Sequence, residues 1–273
     1  MHKLLLTLLI CFTFCAAKSQ NNDLWQAGSA YSLDGKIYTL TCFISTPENR
    51  WTAAEKKQAC FKINNAKNWL MFEAHEYNIH LQFDDGVWGL QNDISFDTID
   101  DGNAGGKNPN DWVSRVIEKA GSSTPLEVYD SIKKATGCDN VQVIILAKQK
   151  GRGYATPYRS DASKAKFFLE GAILYAKDNL GGDLKTASIA HEMLHLYGAW
   201  DLYTTYAQTE EKETKAKEIY PNDIMLRSDP KMSELEVAEL TAWLVGWKKE
   251  THPIYEFFRP ENRKGDCCSH QTE

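Results

Sequence analysis

His191, Glu192 and His195 stand in the run His-Glu-Met-Leu-His, and that spacing has a chemical meaning. Two histidines four residues apart on a helix project from one face, one turn apart, as two ligands of a single tetrahedral Zn²⁺ must. Glu192, beside the first histidine, is placed to reach a water on such an ion and take its proton. Chance alone yields the five-residue pattern in about one chain in a hundred of this composition, so the residues after His195 matter. Gly198 stands seven residues after His191, where a left-handed C-cap would end the helix and turn the chain. Asp201 comes three residues later, positioned to swing back as a third ligand. A buried helix with hydrogen-bonded structural histidines is the plainer explanation of the pair. A glycine and a ligating residue in register make it the poorer one.

The run His191-Glu192-x-x-His195-x-x-Gly198-x-x-Asp201 resembles the signature of the metzincin clan of zinc metallopeptidases, in which the last position is usually histidine. Aspartate occurs there in snapalysin-like members. Asn222-Asp223-Ile224-Met225 resembles the clan's methionine-bearing turn, with Met225 as its methionine. The resemblance implies a zinc-dependent endopeptidase acting on peptide or protein substrates. His191, His195 and Asp201 would hold one Zn²⁺ and Glu192 would be the general base. It also implies an α+β fold: a twisted mixed sheet, a long backing helix, the active-site helix, the Met-turn and a C-terminal helix. Gly153-Tyr154-Ala155 resembles the edge strand on which the clan binds extended peptide. Some members stabilise the oxyanion with a tyrosine soon after the turn methionine, but Leu226 and Arg227 stand there. Tyr203 and Tyr206 are the stand-ins, although aromatic packing is the simpler role for both. A carboxylate ligand leaves the site at a charge of about +1 rather than +2, so heavier reliance on Glu192 is expected.

Two rival functions are weighed against this. A thermolysin-like (gluzincin-type) peptidase would take its third ligand from a downstream glutamate, Glu210 or Glu218. A non-catalytic exported protein would bind peptide or glycan at the edge strand and have no chemical use for Glu192.

The elements that must position these residues are read from apolar spacing. Ile37–Ser45 is rich in β-branched and aromatic residues and is expected to be a strand. Ala59, Ile63, Ala66, Leu70, Ala74 and Tyr77 recur at helical spacing, so a long amphipathic helix runs from Thr52 to about Tyr77. The apolar stretch Ile79–Leu90 is interrupted by Asp84-Asp85-Gly86, a hairpin-like turn signal. Asp100–Asn110 is expected to be a solvated loop. Its oxygens could hold Ca²⁺, but without EF-hand spacing. Short helices are expected at Trp112–Ala120 and Leu126–Ala135, and strands at Val141–Ala147 and Phe167–Ala176. Thr209–Glu218 carries Glu211/Lys215 and Glu213/Lys217 at helical spacing and suits an exposed helix. Ser233-Glu234-Leu235-Glu236 has the form of a capping box opening a C-terminal helix to about Trp247.

The chain of 273 residues is 42% hydrophobic with a formal charge of −6, which excludes wholly disordered classes and argues against non-specific nucleic-acid binding. Met1-His2-Lys3, the apolar run Leu4–Ala17 and the small residues before Gln20 have the layout of a secretory signal peptide. Residues 1–19 are therefore expected to be removed near Ser19/Gln20, giving a secreted product, extracellular or periplasmic. No later segment is long and apolar enough to span a membrane. Residues 20–273 are expected to form one two-lobed, monomeric unit, with the sheet and active-site helix in 20–198 and the third ligand and Met-turn in 199–273. Cys42, Cys60, Cys138, Cys267 and Cys268 remain after the leader. Cys42 with Cys60, and Cys138 with Cys267 or Cys268, are the candidate bridges, and spacing alone does not fix them.

Overall fold

Strand β1 (Gly35–Ser45) sits at the middle of the architecture and shows why both faces of the sheet are covered. Its side chains alternate: Ile37 and Phe43 enter one apolar cluster, while Leu40, Cys42 and Ile44 enter another on the opposite face. The computed structural model describes residues 28–102, 111–122, 124–156, 169–205, 207–227 and 231–260. The expected leader 1–19, Tyr206, Cys267 and Cys268 lie outside these, as do residues 103–110 of the expected loop.

Beside β1 the sheet contains β2 (Leu81–Trp88), β3 (Ile94–Ser95), β4 (Asn140–Lys150), β5 (Tyr154–Thr156) and β6 (Gly171–Lys177). The order is β2-β1-β4-β6-β5, with β3 attached to β1. All pairings are parallel except β5 with β6, so the chain is a mixed α/β fold on a mostly parallel sheet. Burial on both faces explains why β4 reads as a nearly continuous apolar run.

Helix α1 (Ala53–Glu76) packs its Ala59, Ile63, Ala66, Leu70 and Ala74 stripe on one face. Its start is set by a capping box in which Thr52 and Glu55 satisfy each other's backbone N–H groups. Helices α2 (Asp111–Lys119) and α3 (Pro125–Thr136) cover the other face through Trp112, Val113, Val116, Ile117 and Val128. Helix α4 (Thr186–Leu196), which carries both histidines, shares the α1 face. Helices α5 (Glu210–Ile219), α6 (Glu239–Leu244) and α7 (Ile254–Phe257) complete the chain's described elements. Among the described residues no helix is long and apolar enough to cross a membrane.

Three sequence expectations are corrected. Asp84-Asp85-Gly86 does not turn the chain but runs through the middle of β2, in parallel register with Tyr38, Thr39 and Leu40. The Tyr38 hydroxyl occupies the space a side chain at residue 86 would need, and Asp84 and Asp85 pair with Lys36 and Lys67. The glycine therefore serves a close approach within a strand.

The Ser233 capping box does not open a C-terminal helix either. Met232–Glu234 is a single 3₁₀ turn, and α6 begins only at Glu239. Residues between them are held extended by partners elsewhere. Glu236 exchanges backbone bonds with Asn222 and Ile224, at 3.0 Å each. Val237 N–H donates to Glu73 Oε2 at 2.8 Å, and Val237 C=O accepts from the Tyr77 hydroxyl at 2.7 Å.

No disulfide occurs among the described residues: Cys42, Cys60 and Cys138 are free. Cys42 points away from α1 into the α2/α3 cluster, whereas Cys60 lies on α1 against the opposite face. The sheet separates the two sulfurs. Peptide mapping of the non-reduced, alkylated protein should therefore recover the Cys42 and Cys60 peptides unlinked. A Cys42–Cys60 crosslinked peptide would contradict this register of β1.

Candidate metal centre

Helix α4 ends at Leu196, with Tyr197 as its C-cap, and the way it ends builds half of the centre. Gly198, at φ 95°, takes the left-handed position that glycine adopts without strain. Gly198 N–H bonds to His195 C=O at 3.0 Å and Ala199 N–H to Leu194 C=O at 3.2 Å, the paired bonds of a Schellman motif. The turn carries Ala199 back over the last helical turn, where its carbonyl lies 2.8 Å from His195 Nδ1. It also brings Asp201 round to the histidines.

His191 is oriented from the other side. Its Nδ1 lies 2.9 Å from the carbonyl of Ile224, in the tight turn Asp223–Leu226. A carbonyl oxygen only accepts, so each Nδ1 must carry its proton, and each neutral ring then presents an Nε2 lone pair. Those lone pairs converge. His191 Nε2 and His195 Nε2 are 3.1 Å apart, and Asp201 Oδ1 lies 3.2 Å from each.

Three acceptor atoms at such distances repel one another unless a cation sits between them. Around a tetrahedral ion with bonds of 2.0–2.1 Å, ligand atoms lie about 3.3 Å apart, close to what is seen. Among the described residues, Asp201 Oδ1 is moreover buried without a hydrogen-bond donor. These three residues form the group among the described residues that could hold a metal ion.

Titration behaviour fits the same picture. Burial opposes ionisation of Asp201, but the positive charge of His195, with that of His191, holds its carboxyl well below the usual carboxylate range. Burial works against a charged His195, yet Asp201, and behind it Glu192, lift it to about 9. A proton on His195 is thus the metal-free counterpart of the cation. It stabilises the fold fully below the free histidine value of about 6.5, and that contribution fades as pH rises through about 9.

Glu192 is buried, and among the described residues its Oε2 has no hydrogen-bond partner. Burial pushes its carboxyl up, against the pull of both histidines. Gly153 leads into edge strand β5 beside it: a side chain there would begin 3.5 Å from Glu192 Oε1 and 3.3 Å from Leu174. Tyr154 and Ala155 continue that edge, paired with Ile173 and Ala172 of β6. Tyr203 lies at the centre too, its ring 6.1 Å from that of His191.

The structure does not bring every candidate here. Glu210 and Glu218 sit on the exposed face of α5, Glu218 pairs with Lys215 at 2.8 Å, and neither joins the histidine group. Of the two pairs expected on this helix, Glu213 with Lys217 forms at 2.5 Å, whereas Lys215 pairs with Glu218 in place of Glu211. Asp100, a candidate Ca²⁺ ligand, is engaged by protein donors: the Trp112 indole at 2.8 Å and Gly102 N–H at 3.2 Å.

Asp223 is a residue whose role the sequence did not disclose. Fully buried, its carboxylate accepts Met225 N–H at 2.7 Å and Ala238 N–H at 3.0 Å. It shapes the turn that offers Ile224 C=O to His191 and Met225 C=O to Leu202 N–H, the latter at 2.9 Å. Met225 itself is fully buried in that turn. Burial raises the Asp223 carboxyl to about 6, against the bonds from Met225, Thr241 and Ala238.

Comparison with protein-family models, curated proteins and solved structures finds no match to this chain. The site must speak through its geometry.

Metal must displace the His195 proton, so apparent Co²⁺ affinity in chelator competition should climb about tenfold per pH unit, levelling near the His195 value of about 9. A flat profile from pH 6.5 to 9 would contradict that coupling. Asp223→Ala should lose about 1–3 kcal/mol in urea unfolding and about 10- to 100-fold in Co²⁺ affinity. Unchanged metal affinity would separate Asp223 from the centre.

Proposed function

We propose that the protein is a secreted zinc-dependent endopeptidase of the metzincin type. The observation that carries this is the convergence of His191 Nε2, His195 Nε2 and Asp201 Oδ1 beside the buried carboxylate of Glu192. A donor set of two imidazoles and one carboxylate suits Zn²⁺ in a catalytic rather than a closed structural site. The long helix α1, the antiparallel edge strand β5 beside α4, and the turn bearing Met225 against His191 support the metzincin assignment. The sequence of residues 1–19, which has the layout of an export leader, supports secretion.

A bound Zn²⁺ would supply Lewis acidity toward the scissile carbonyl and toward water. The protein's own groups do the rest. Glu192 takes a proton from the attacking water and returns it to the leaving amine. Its carboxyl is suited to the task because burial raises it and Oε2 takes no hydrogen bond from the described residues. The outer edge of β5 offers backbone groups to an extended peptide, and Gly153 keeps the approach to Glu192 open. Ala199 and Ile224 carbonyls hold the imidazoles so that ligand orientation does not depend on substrate.

A non-catalytic binder on the same fold would keep metal and peptide affinity without Glu192-dependent cleavage. Metal analysis with peptide-library cleavage separates the two. Wild-type protein should hold one Zn²⁺ and cut peptides, chelation should abolish cutting, and Glu192→Gln should lower the rate by about 10²- to 10⁴-fold with metal retained. Cleavage that persists through chelation and Glu192→Gln would overturn the assignment.

A further inference from the structure

Edge strand β5 starts beside Glu192, and a segment from elsewhere in the chain closes the backbone just ahead of it. β5 is the last strand of the sheet order, three residues long, and pairs antiparallel with β6. At residue 152 the main chain is already engaged: Arg152 N–H donates to Asp101 C=O at 2.8 Å. Gly102, at φ 70°, lies so close that a side chain on it would strike the Arg152 carbonyl and meet the Tyr154 ring. Gly151 is packed in the same way, with Asp101 C=O 2.7 Å from where a side chain would begin.

The closing segment, residues 99–102, is fastened to the sheet and to α2. The Tyr175 hydroxyl and the Gln149 amide donate to Asp100 C=O at 2.9 and 2.8 Å, and Gln149 also reaches Ile99 C=O at 3.1 Å. The Asp100 carboxylate accepts the Trp112 indole at 2.8 Å and Gly102 N–H at 3.2 Å. Strand direction then decides which part of a substrate this closure affects. β5 runs from Tyr154 to Thr156, away from Gly153 and Glu192. A peptide added antiparallel enters beside Thr156 and reaches Glu192 past Tyr154, with the residues before the scissile bond on the strand. Ahead of Gly153 the next backbone groups are those of Arg152, which segment 99–102 already covers. Residues after the scissile bond find no strand edge there.

We propose that substrate is recognised through the residues preceding the scissile bond, because segment 99–102 closes the strand edge that the residues following it would use. This rests on the peptidase assignment, and the test keeps the two apart by measuring binding without turnover. Two series of Ala/Ser peptides carry a hydroxamate that anchors them on Zn²⁺-loaded protein. In the first the hydroxamate ends the chain, so the peptide lies on the side before the scissile bond. In the second it begins the chain, so the peptide lies on the side after it. Each series is lengthened from one residue to three. Asp100→Ala removes the two bonds to the segment's carboxylate, and Gly102→Ala pushes the segment off the Arg152 carbonyl while leaving Asp100 in place.

Lengthening the first series should tighten binding about tenfold, the size of one or two neutral backbone hydrogen bonds. Lengthening the second should leave binding to the wild-type protein within about twofold, and either variant should restore a gain of about threefold to that series. A second series that tightens on wild-type protein as much as the first, or a first series that gains nothing, would overturn the proposal. So would a second series that stays flat in both variants, since segment 99–102 would then not be what closes the edge. Failure of the peptidase assignment looks different: Zn²⁺-loaded wild-type protein would leave a peptide library uncut while the one-sided length dependence persists.

Discussion

An imidazole that commits its Nδ1–H to a backbone carbonyl must present a lone pair on Nε2, and here two such rings face each other across 3.1 Å. A carboxylate oxygen lies 3.2 Å from both. Burying three acceptors together is costly unless positive charge joins them. Much of the surrounding architecture exists to enforce the arrangement. The Schellman turn supplies the Ala199 carbonyl and swings Asp201 into place, while the Asp223 turn supplies the Ile224 carbonyl.

That second turn depends in its own right on distant parts of the chain. Asp223 reaches Ala238, and Glu73 of α1 reaches Val237, so two carboxylates take successive N–H groups of one extended segment. The Tyr77 hydroxyl closes on Val237 C=O from the same helix. Helix α1 therefore does more than back the sheet. It pins the segment that pins the turn that aims His191. Such a relay suits a site whose ligand atoms are to be held in place before a metal ion arrives.

The ligands were legible in the sequence because their chemistry is local: His191, Glu192, His195, Gly198 and Asp201 lie within eleven residues whose spacing maps onto one helix and one turn. Helix α1 was legible for a similar reason, since its buried stripe has a period of its own. What was hidden depends on contacts distant along the chain. Asp84-Asp85-Gly86 reads as a turn until Tyr38 is seen to fill the space beside Gly86. The Ser233 capping box is overridden by partners 15 and 164 residues away, which favour extended backbone over helix. The Cys42–Cys60 pairing failed on strand register, because alternation sends Cys42 to the face that α1 does not cover. Nor does any local pattern mark the Asp223 carboxylate as part of the centre.

Zinc K-edge X-ray absorption on protein loaded with one equivalent of Zn²⁺ tests the ligand set most directly. A first shell of nitrogen and oxygen alone, at about 2.0–2.1 Å, with outer-shell scattering from two imidazoles, is the expected spectrum. His195→Ala should remove one of the two imidazole contributions. A sulfur scatterer at about 2.3 Å, or a spectrum indifferent to His195→Ala, would place the ion elsewhere and contradict the centre described.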